Sequence, residues 1–567
     1  MTNKEIARLL SETSDLVELT GGNEYRARAY AGAARSIDDL DAPASQLAGD
    51  DALTDLDGIG DALAGDVRSI LQSGSFGLRD ELLGQLPKGL PELLRVQGLG
   101  TKKVRRLWQE ADVTTLDQLE MIAESGRLAN LNGFGEKTQQ NVLENLRQLK
   151  RYRQQRRYRD ALAQVDPVLR ALRDASGVER VEVAGALRRK RETVERAVLL
   201  AQADAPESVR HALADHLESA EPRPEGDQMV FEGALPGRKD SALPLEIRLA
   251  PPERFGTAWW LLTGSEEHAR AFREAHGEPD AHAGESGVYD EAGLPFVEPE
   301  LREGRGELKA AAEGRLPDLI TEDDLRGSLH NHSTYSDGAD TLRAMAEAAR
   351  AMGLSYFGVC DHSRSLSIAS GLSIDDVRRQ QDEIRELNDE YNELDDSDFR
   401  VLSGIESDIL KDGALDYPDD VLDSFDFVVA SVHSGFNMTE DEATERVARA
   451  VRNPHTTILG HATGRLLLAR EGYPLDHERV IAACAEAGTA IELNANPYRL
   501  DMDWRYLRFA TEQDVLISIN PDAHSTDELK YTRWGVAVAR KAWLTAEDCL
   551  NAKLLDDFKN WLDEREA

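Results

Sequence analysis

Leu329-His330-Asn331-His332-Ser333-Thr334-Tyr335-Ser336-Asp337-Gly338 is the stretch on which the fold turns. Two histidines one residue apart at a strand end point to the same side, so both imidazoles can reach one metal ion. Downstream, to about Lys559, apolar runs suited to buried strands alternate with amphipathic helical stretches. Strands are expected over Tyr356–Cys360, Phe399–Ile405, Phe427–Val432, Thr457–Leu459, Ala490–Leu493 and Leu516–Ile519. Such alternation over roughly 240 residues predicts a TIM-like, distorted β/α barrel with its active site at the carboxyl ends of the strands.

Six of the thirteen histidines fall just past those strands, and carboxylates accompany them. The candidate ligands are His330, His332, Asp337 in Ser-Asp-Gly, His362 in Cys-Asp-His, Glu406 in Gly-Ile-Glu, His433 in Ser-Val-His-Ser, His461 in Leu-Gly-His, and Asp522 with His524 in Pro-Asp-Ala-His. Imidazole mixed with carboxylate suits Zn²⁺, Mn²⁺ or Fe²⁺. The nine side chains together could hold two or three ions, enough to generate a hydroxide nucleophile and clamp a phosphoryl group. Any one histidine could instead cap a strand; the whole set at strand ends points to a metal centre.

The amino-terminal third reads differently. Helices are expected over residues 5–40, with Ile6, Leu9, Leu10, Leu16 and Val17 at helical spacing. Three copies of apolar-x-Gly-apolar-Gly follow: Leu56-Asp-Gly58-Ile59-Gly60, Val96-Gln-Gly98-Leu99-Gly100 and Leu131-Asn-Gly133-Phe134-Gly135. Glycines permit a tight turn, the middle apolar side chain plugs the gap between two helices, and the next helix starts with free N–H groups able to meet a DNA phosphate. Lys102 and Lys103 come directly after the second turn. Arg151–Arg159 is arginine-rich, suited to DNA or to a solvated helix face.

Charge alone would argue against nucleic acid, since 105 acidic residues against 67 basic give −38. Residues 95–159 nevertheless hold 14 basic and 7 acidic side chains, so basic surface is concentrated beside the turns. With only 14 lysines in all, the composition fits the high-salt cytoplasm of a halophilic archaeon, where the Debye length is about 3 Å at 1 M salt. Cys360, Cys484 and Cys549 are too widely spaced for a CxxC clip or a disulfide framework, which suits a reduced, cytoplasmic compartment. No apolar run approaches the ~20 residues of a membrane helix, so no membrane partner is expected.

The ligand series resembles the polymerase-and-histidinol-phosphatase (PHP) phosphoesterase domain without a gap. The hairpins, with Tyr25-Arg-Ala-Arg-Ala-Tyr30 before them, resemble the amino-terminal part of family X DNA polymerases. The layout is similar to bacterial and archaeal family X polymerases with a carboxy-terminal PHP domain. That resemblance implies a multidomain α and α/β protein: an all-α helix-hairpin-helix DNA-binding region over 1–160, an α+β polymerase palm and thumb over 161–316, and the PHP domain over 317–567. It implies a metal-dependent 3′-to-5′ exonuclease, with related 3′-end processing and abasic-site cleavage, in base-excision repair. DNA contacts are expected at Gly58, Gly60, Gly98, Gly100, Lys102, Lys103, Gly133 and Gly135, and a monomer is expected.

The polymerase motif departs from the family. Gly185-Ala-Leu-Arg188-Arg189-Lys-Arg-Glu192-Thr-Val-Glu-Arg196-Ala-Val198 keeps the Gly-x-x-Arg-Arg frame, but Arg196 and Val198 stand where two metal-binding aspartates belong. Glu246 occupies the third acidic position, and Asp204 is a candidate displaced carboxylate. Gly264 and Ser265, with His268, match the nucleotide-pocket segment, although Leu261 and Leu262 replace an aromatic pair. A cation and an apolar side chain cannot hold Mg²⁺, so Mg²⁺ is not expected there and templated synthesis is expected to be lost or severely reduced. The helix after the first hairpin has no lysine for Schiff-base lyase chemistry. Two alternatives remain: an active gap-filling polymerase with a PHP exonuclease, and a small-molecule phosphatase of histidinol-phosphatase type. Arg465, in Thr-Gly-Arg after His461, is a candidate phosphate contact or an ordinary ion-pair partner.

Overall fold

Ile6, Leu10, Leu16 and Val17 bury one face of α1 (Asn3–Thr20), which packs along α2 (Glu24–Asp38), as the apolar spacing requires. These coordinates come from a computed structural model describing residues 1–567 except 2, 39, 41–43, 50, 51, 57, 97, 218–220, 226, 227, 236–241, 367, 368, 394–398 and 567. The chain forms two compact units, Met1–Tyr152 and Arg153–Ala567.

In the first unit each Gly-apolar-Gly turn leads into a helix: α3 (Asp61–Ser73), α4 (Thr101–Ala111) and, after α5 (Leu116–Glu124), α6 (Glu136–Gln154). Ile59, Leu99 and Phe134 are all buried, and each donates its N–H to the apolar residue that opens its own turn. Gly58, Gly98 and Gly133 have φ of +78°, +86° and +84°, a region costly for any side chain but available to glycine. Asp57 and Gln97, within two of the turns, lie outside the described residues.

The second unit starts with a two-residue ribbon, Arg156–Arg157 against Thr193–Val194, and α7 (Tyr158–Asp174). Arg157 and Arg159 are neither solvated nor free for DNA. They stack 4.4 and 4.8 Å from the Tyr498 ring, and Arg157 Nε donates to the Leu467 carbonyl. A five-stranded sheet follows: β1 (Val178–Ala184), β2 (Ala197–Ala203), β3 (Pro222–Glu225), β4 (Gln228–Leu235) and β5 (Leu243–Leu249), in the order β1-β2-β5-β4-β3 with only β2 and β5 parallel. Beyond it come α8 (Phe255–Thr263), which carries Trp259, and α9 (Glu266–His276).

The barrel strands pair in chain order and are all parallel: β6 (Gly327–Ser328), β7 (Tyr356–Val359), β8 (Arg400–Asp408), β9 (Phe427–Ser431), β10 (Ile458–Leu459), β11 (Ala490–Asn494) and β12 (Ile517–Asn520). A bridge between Asn331 and Ala523, with His332 N–H donating to the Ala523 carbonyl at 2.8 Å, nearly closes the ring. Two details differ from expectation. β6 is too short to show periodicity, and β8 runs on to Asp408, so Glu406 stands within its strand instead of beyond it. Of the helices outside the ring, α10 (Trp504–Thr511) and α11 (Thr532–Lys541) matter below.

Candidate metal centre

Parallel strands aim their carboxyl ends at one mouth, and the short segments leaving them carry the histidines. His330, His433, His461 and Asp522 stand two residues past β6, β9, β10 and β12, and His362 stands three past β7. Glu406 is central: its Oε1 lies 2.9 Å from His461 Nε2, 3.2 Å from His433 Nε2 and 3.4 Å from His330 Nε2. Its Oε2 lies 2.8 Å from His362 Nδ1 and 3.7 Å from His332 Nε2. Asp522 Oδ1 is 3.2 Å from His332 Nε2, while Asp337 Oδ1 lies 3.3, 3.5 and 3.8 Å from His524, His362 and His332. All nine candidate residues therefore meet at the mouth.

Among the described residues, three groups have ligand atoms within 4.8 Å of one another: His332, Asp337, His362 and His524; His330, His332 and Asp522; and His362, Glu406 and His433. His330 Nε2, His332 Nδ1, His362 Nδ1, His461 Nδ1 and both Glu406 oxygens are buried without a hydrogen bond. Buried polar atoms are rarely left so, and divalent cations would satisfy these. The residues present fit such ions.

Charge is distributed to match. Burial and the neighbouring His524 and His362 push His332 down to about 3, which keeps it a neutral imidazole. Burial would raise Glu406, but His433, His330 and His362 outweigh it and hold the carboxylate ionised. At His433 burial is outweighed by Glu406 and Asp408, which lift it to about 9, so a cation would have to displace that proton to be bound there.

Sequence reasoning missed the residues behind the ligands. Glu492, fully buried on β11, accepts from His330 Nδ1 at 2.6 Å and from the His461 backbone N–H at 2.7 Å, so one carboxylate orients two candidate ligands. An acid in the apolar run Ala-Ile-Glu-Leu-Asn was the available signal. Asp408 accepts from His433 Nδ1 at 2.5 Å, and Asp361 accepts from the Ser333 N–H and hydroxyl at 2.8 and 2.6 Å. Arg465 is an ion-pair partner: partly buried, it binds Glu192 and, at 3.0 Å, Asp503.

On the five-stranded sheet the register places Val198 between Ala184 and Glu246. Gly185, at φ +65°, backs onto Val198, where a Cβ would come within 3.3 Å of it. Arg196 Nη1 lies 3.0 Å from Glu246 Oε2, and Arg248 Nε lies 2.5 Å from Oε1, so guanidinium groups hold both carboxylate oxygens. Asp204 lies six residues along from Val198, roughly 20 Å at strand spacing. Arg188 is bidentate on Glu285 at 2.6–2.7 Å and stacks 3.5 Å from Trp259, while Arg189 pairs with Glu303 at 2.9 Å. Gly264 abuts the His268 ring, and Ser265 caps α9 by accepting from the His268 N–H.

At the hairpins, Cβ atoms added to Gly58, Gly60, Gly98, Gly100 or Gly135 would meet nothing within 4 Å, which leaves room for a partner backbone. Gly133 is faced by Arg106, bonded to the Asn132 carbonyl. Lys102 is exposed, whereas Lys103 donates to the Gly98 carbonyl at 2.9 Å.

A barrel with a histidine- and carboxylate-rich mouth, joined to tandem helix hairpins, defines the class of metallophosphoesterases appended to a DNA-binding region. Comparison with known proteins agrees: residues 1–76 match the helix-hairpin-helix domain, 90–148 the SAM-like helix-hairpin-helix tandem, and 328–496 the PHP domain. The chain is 33% identical over 579 aligned residues, 99% of each chain, to the DNA polymerase/3′-5′ exonuclease PolX of Bacillus subtilis, and it belongs to that PolX family. The chain is also 30% identical over 209 residues to a probable phosphatase of Acetivibrio thermocellus, 35% of this chain and 80% of that one. It is 28% identical to a probable phosphatase of Thermoanaerobacter sp. (strain X514), over 29% and 69%. No helix among the described residues is long and apolar enough to cross a membrane.

Proposed function

We propose that this PolX-family chain is a DNA-repair phosphodiesterase that degrades and trims DNA 3′ ends in the 3′-to-5′ direction through its barrel mouth, with cleavage at abasic sites as a related activity. The observation that carries this reading is the convergence of nine candidate ligands around buried polar atoms left without a hydrogen bond. His330, His332, Asp337, His362, Glu406, His433, His461, Asp522 and His524 would hold two or three Mn²⁺, Zn²⁺ or Fe²⁺ ions. Such ions supply an activated water and positive charge against the phosphodiester. The protein's own part is to fix their positions through Glu492 and Asp408, and to keep His332 neutral.

The regions 1–160, 161–316 and 317–567 are proposed as DNA-binding, polymerase-like and PHP domains. Gly58, Gly60, Gly98, Gly100, Lys102, Lys103, Gly133 and Gly135 would track the backbone of a gapped or 3′-ended duplex. The polymerase-like domain is proposed to be inactive in synthesis, because Arg196 occupies Glu246, the acid left at the third position. Gly185, Arg188, Arg189, Val198, Gly264 and Ser265 would then serve as scaffold. We place the protein as a monomer in a high-salt cytoplasm, on the support of its acidic, lysine-poor composition.

A 5′-labelled primer on a gapped template, in high KCl and Mn²⁺, with and without all four dNTPs, tests both halves. Shortening that dNTPs do not reverse and that His330→Ala with His332→Ala abolishes is the expected result. Extension by that variant would overturn the inactive-synthesis reading, and undiminished shortening would overturn the barrel assignment.

A further inference from the structure

A cleft of about 230 Å³ opens on the outside of the barrel between α10, the end of α11 and the segment carrying Arg305, and none of the nine candidate ligands lines it. Arg305, Arg505, Arg508 and Lys541 bring four cations to its wall, and Trp504 and Trp543 bring two indoles. Arg305 and Lys541 lie 4.8 and 4.7 Å from the Trp504 ring, and Arg508 lies 3.9 Å from the Trp543 ring. Glu512, the acid on the wall, is engaged by Arg508 at 3.2 Å. Arg505 is held by Asp503 and Lys541 by Glu303, but Arg305 is exposed and has no ion pair among the described residues.

Asp503, Glu303 and Glu512 each engage one of the other three cations, so among the described residues Arg305 is the positive charge of the wall left without an acid. Aromatic faces beside guanidinium groups favour a ligand that joins a planar ring to an anion. The volume lies just below the roughly 300–1,000 Å³ of ordinary small-molecule sites, so one small unit fits and a duplex does not. We propose that this cleft binds a nucleoside monophosphate, its base against Trp543 and its phosphate on Arg305. The chemistry is shared by a free mononucleotide and the end of a DNA strand; the small size favours the free molecule. The site is separate from the metal centre and does not depend on its chemistry.

Equilibrium dialysis of labelled dAMP against the full chain carrying His330→Ala and His332→Ala removes binding at the metal centre. Arg305→Ala and Trp543→Leu are then added singly, with circular dichroism confirming the fold. Deoxyadenosine, inorganic phosphate and a single-stranded oligonucleotide serve as competitors. Saturable one-site binding of dAMP is expected, weakened about tenfold by each cleft substitution, with deoxyadenosine and phosphate each competing at least about tenfold less well than dAMP. The proposal is overturned by absence of saturable binding, or by equal binding in the cleft variants. Phosphate competing as well as dAMP would reduce the cleft to a simple anion site, and an oligonucleotide outcompeting dAMP would make it a strand site; either result overturns it.

Discussion

Glu492 makes no contact with solvent, and its carboxylate holds His330 and the backbone of His461 in place. Glu492→Gln keeps the shape and removes the charge that orients the imidazole. Metal affinity is expected to fall about 10–100-fold, with exonuclease activity recovering as Mn²⁺ is raised; metal titration alongside nuclease assay reads both. The nine candidate ligands were legible because each belongs to a short local pattern, as in His330-x-His332. Glu492 was not, because a lone acid in an apolar strand gives no hint of which imidazole it faces. Arg196 and Val198 were legible as substitutions, but the engagement of Glu246 by both Arg196 and Arg248 required the parallel pairing of β2 with β5, which joins residues some fifty positions apart.

At the scale of elements, the three turns solve one problem in one way. The apolar residue of each is buried, its first glycine takes positive φ, and the following helix presents open backbone. Lys102, exposed at the start of α4, is expected to add affinity without sequence preference. Lys102→Ala should weaken binding about equally for all sequences and lower the slope of log affinity against log salt by about one, measured by fluorescence anisotropy across a KCl series. Long periodic elements such as α1 could be read from spacing alone. β6 could not, since two residues carry no period and it exists only by pairing with β7.

Across the second unit, the polymerase-like sheet and the barrel are joined by buried charge. Burial pushes Glu300 and Glu303 up, but Lys190 and Arg540 outweigh it at the first, and Lys541 and Arg189 at the second; both carboxyls lie at about 2. The folded value is below the ordinary 4.5, so these acids stabilise the fold above about pH 4.5 and lose that contribution as pH falls towards 2. The loss is on the order of 3 kcal/mol per group at most. Thermal melts should show the midpoint falling through that window, with a shallower fall in Glu300→Gln, Glu303→Gln. This joint was invisible in the sequence, which placed its acids and cations more than a hundred positions apart.

Lys541 gives that joint a further meaning. The residue is 1% exposed, and its ammonium is covered by the Arg189 and Glu300 carbonyls and by Glu303, all contributed by the polymerase-like half. A gene trimmed to residues 317–567 would strip that cover and lay the ammonium bare. The barrel therefore depends on the polymerase-like half for the cover of its own lysine, whether or not that half still copies DNA.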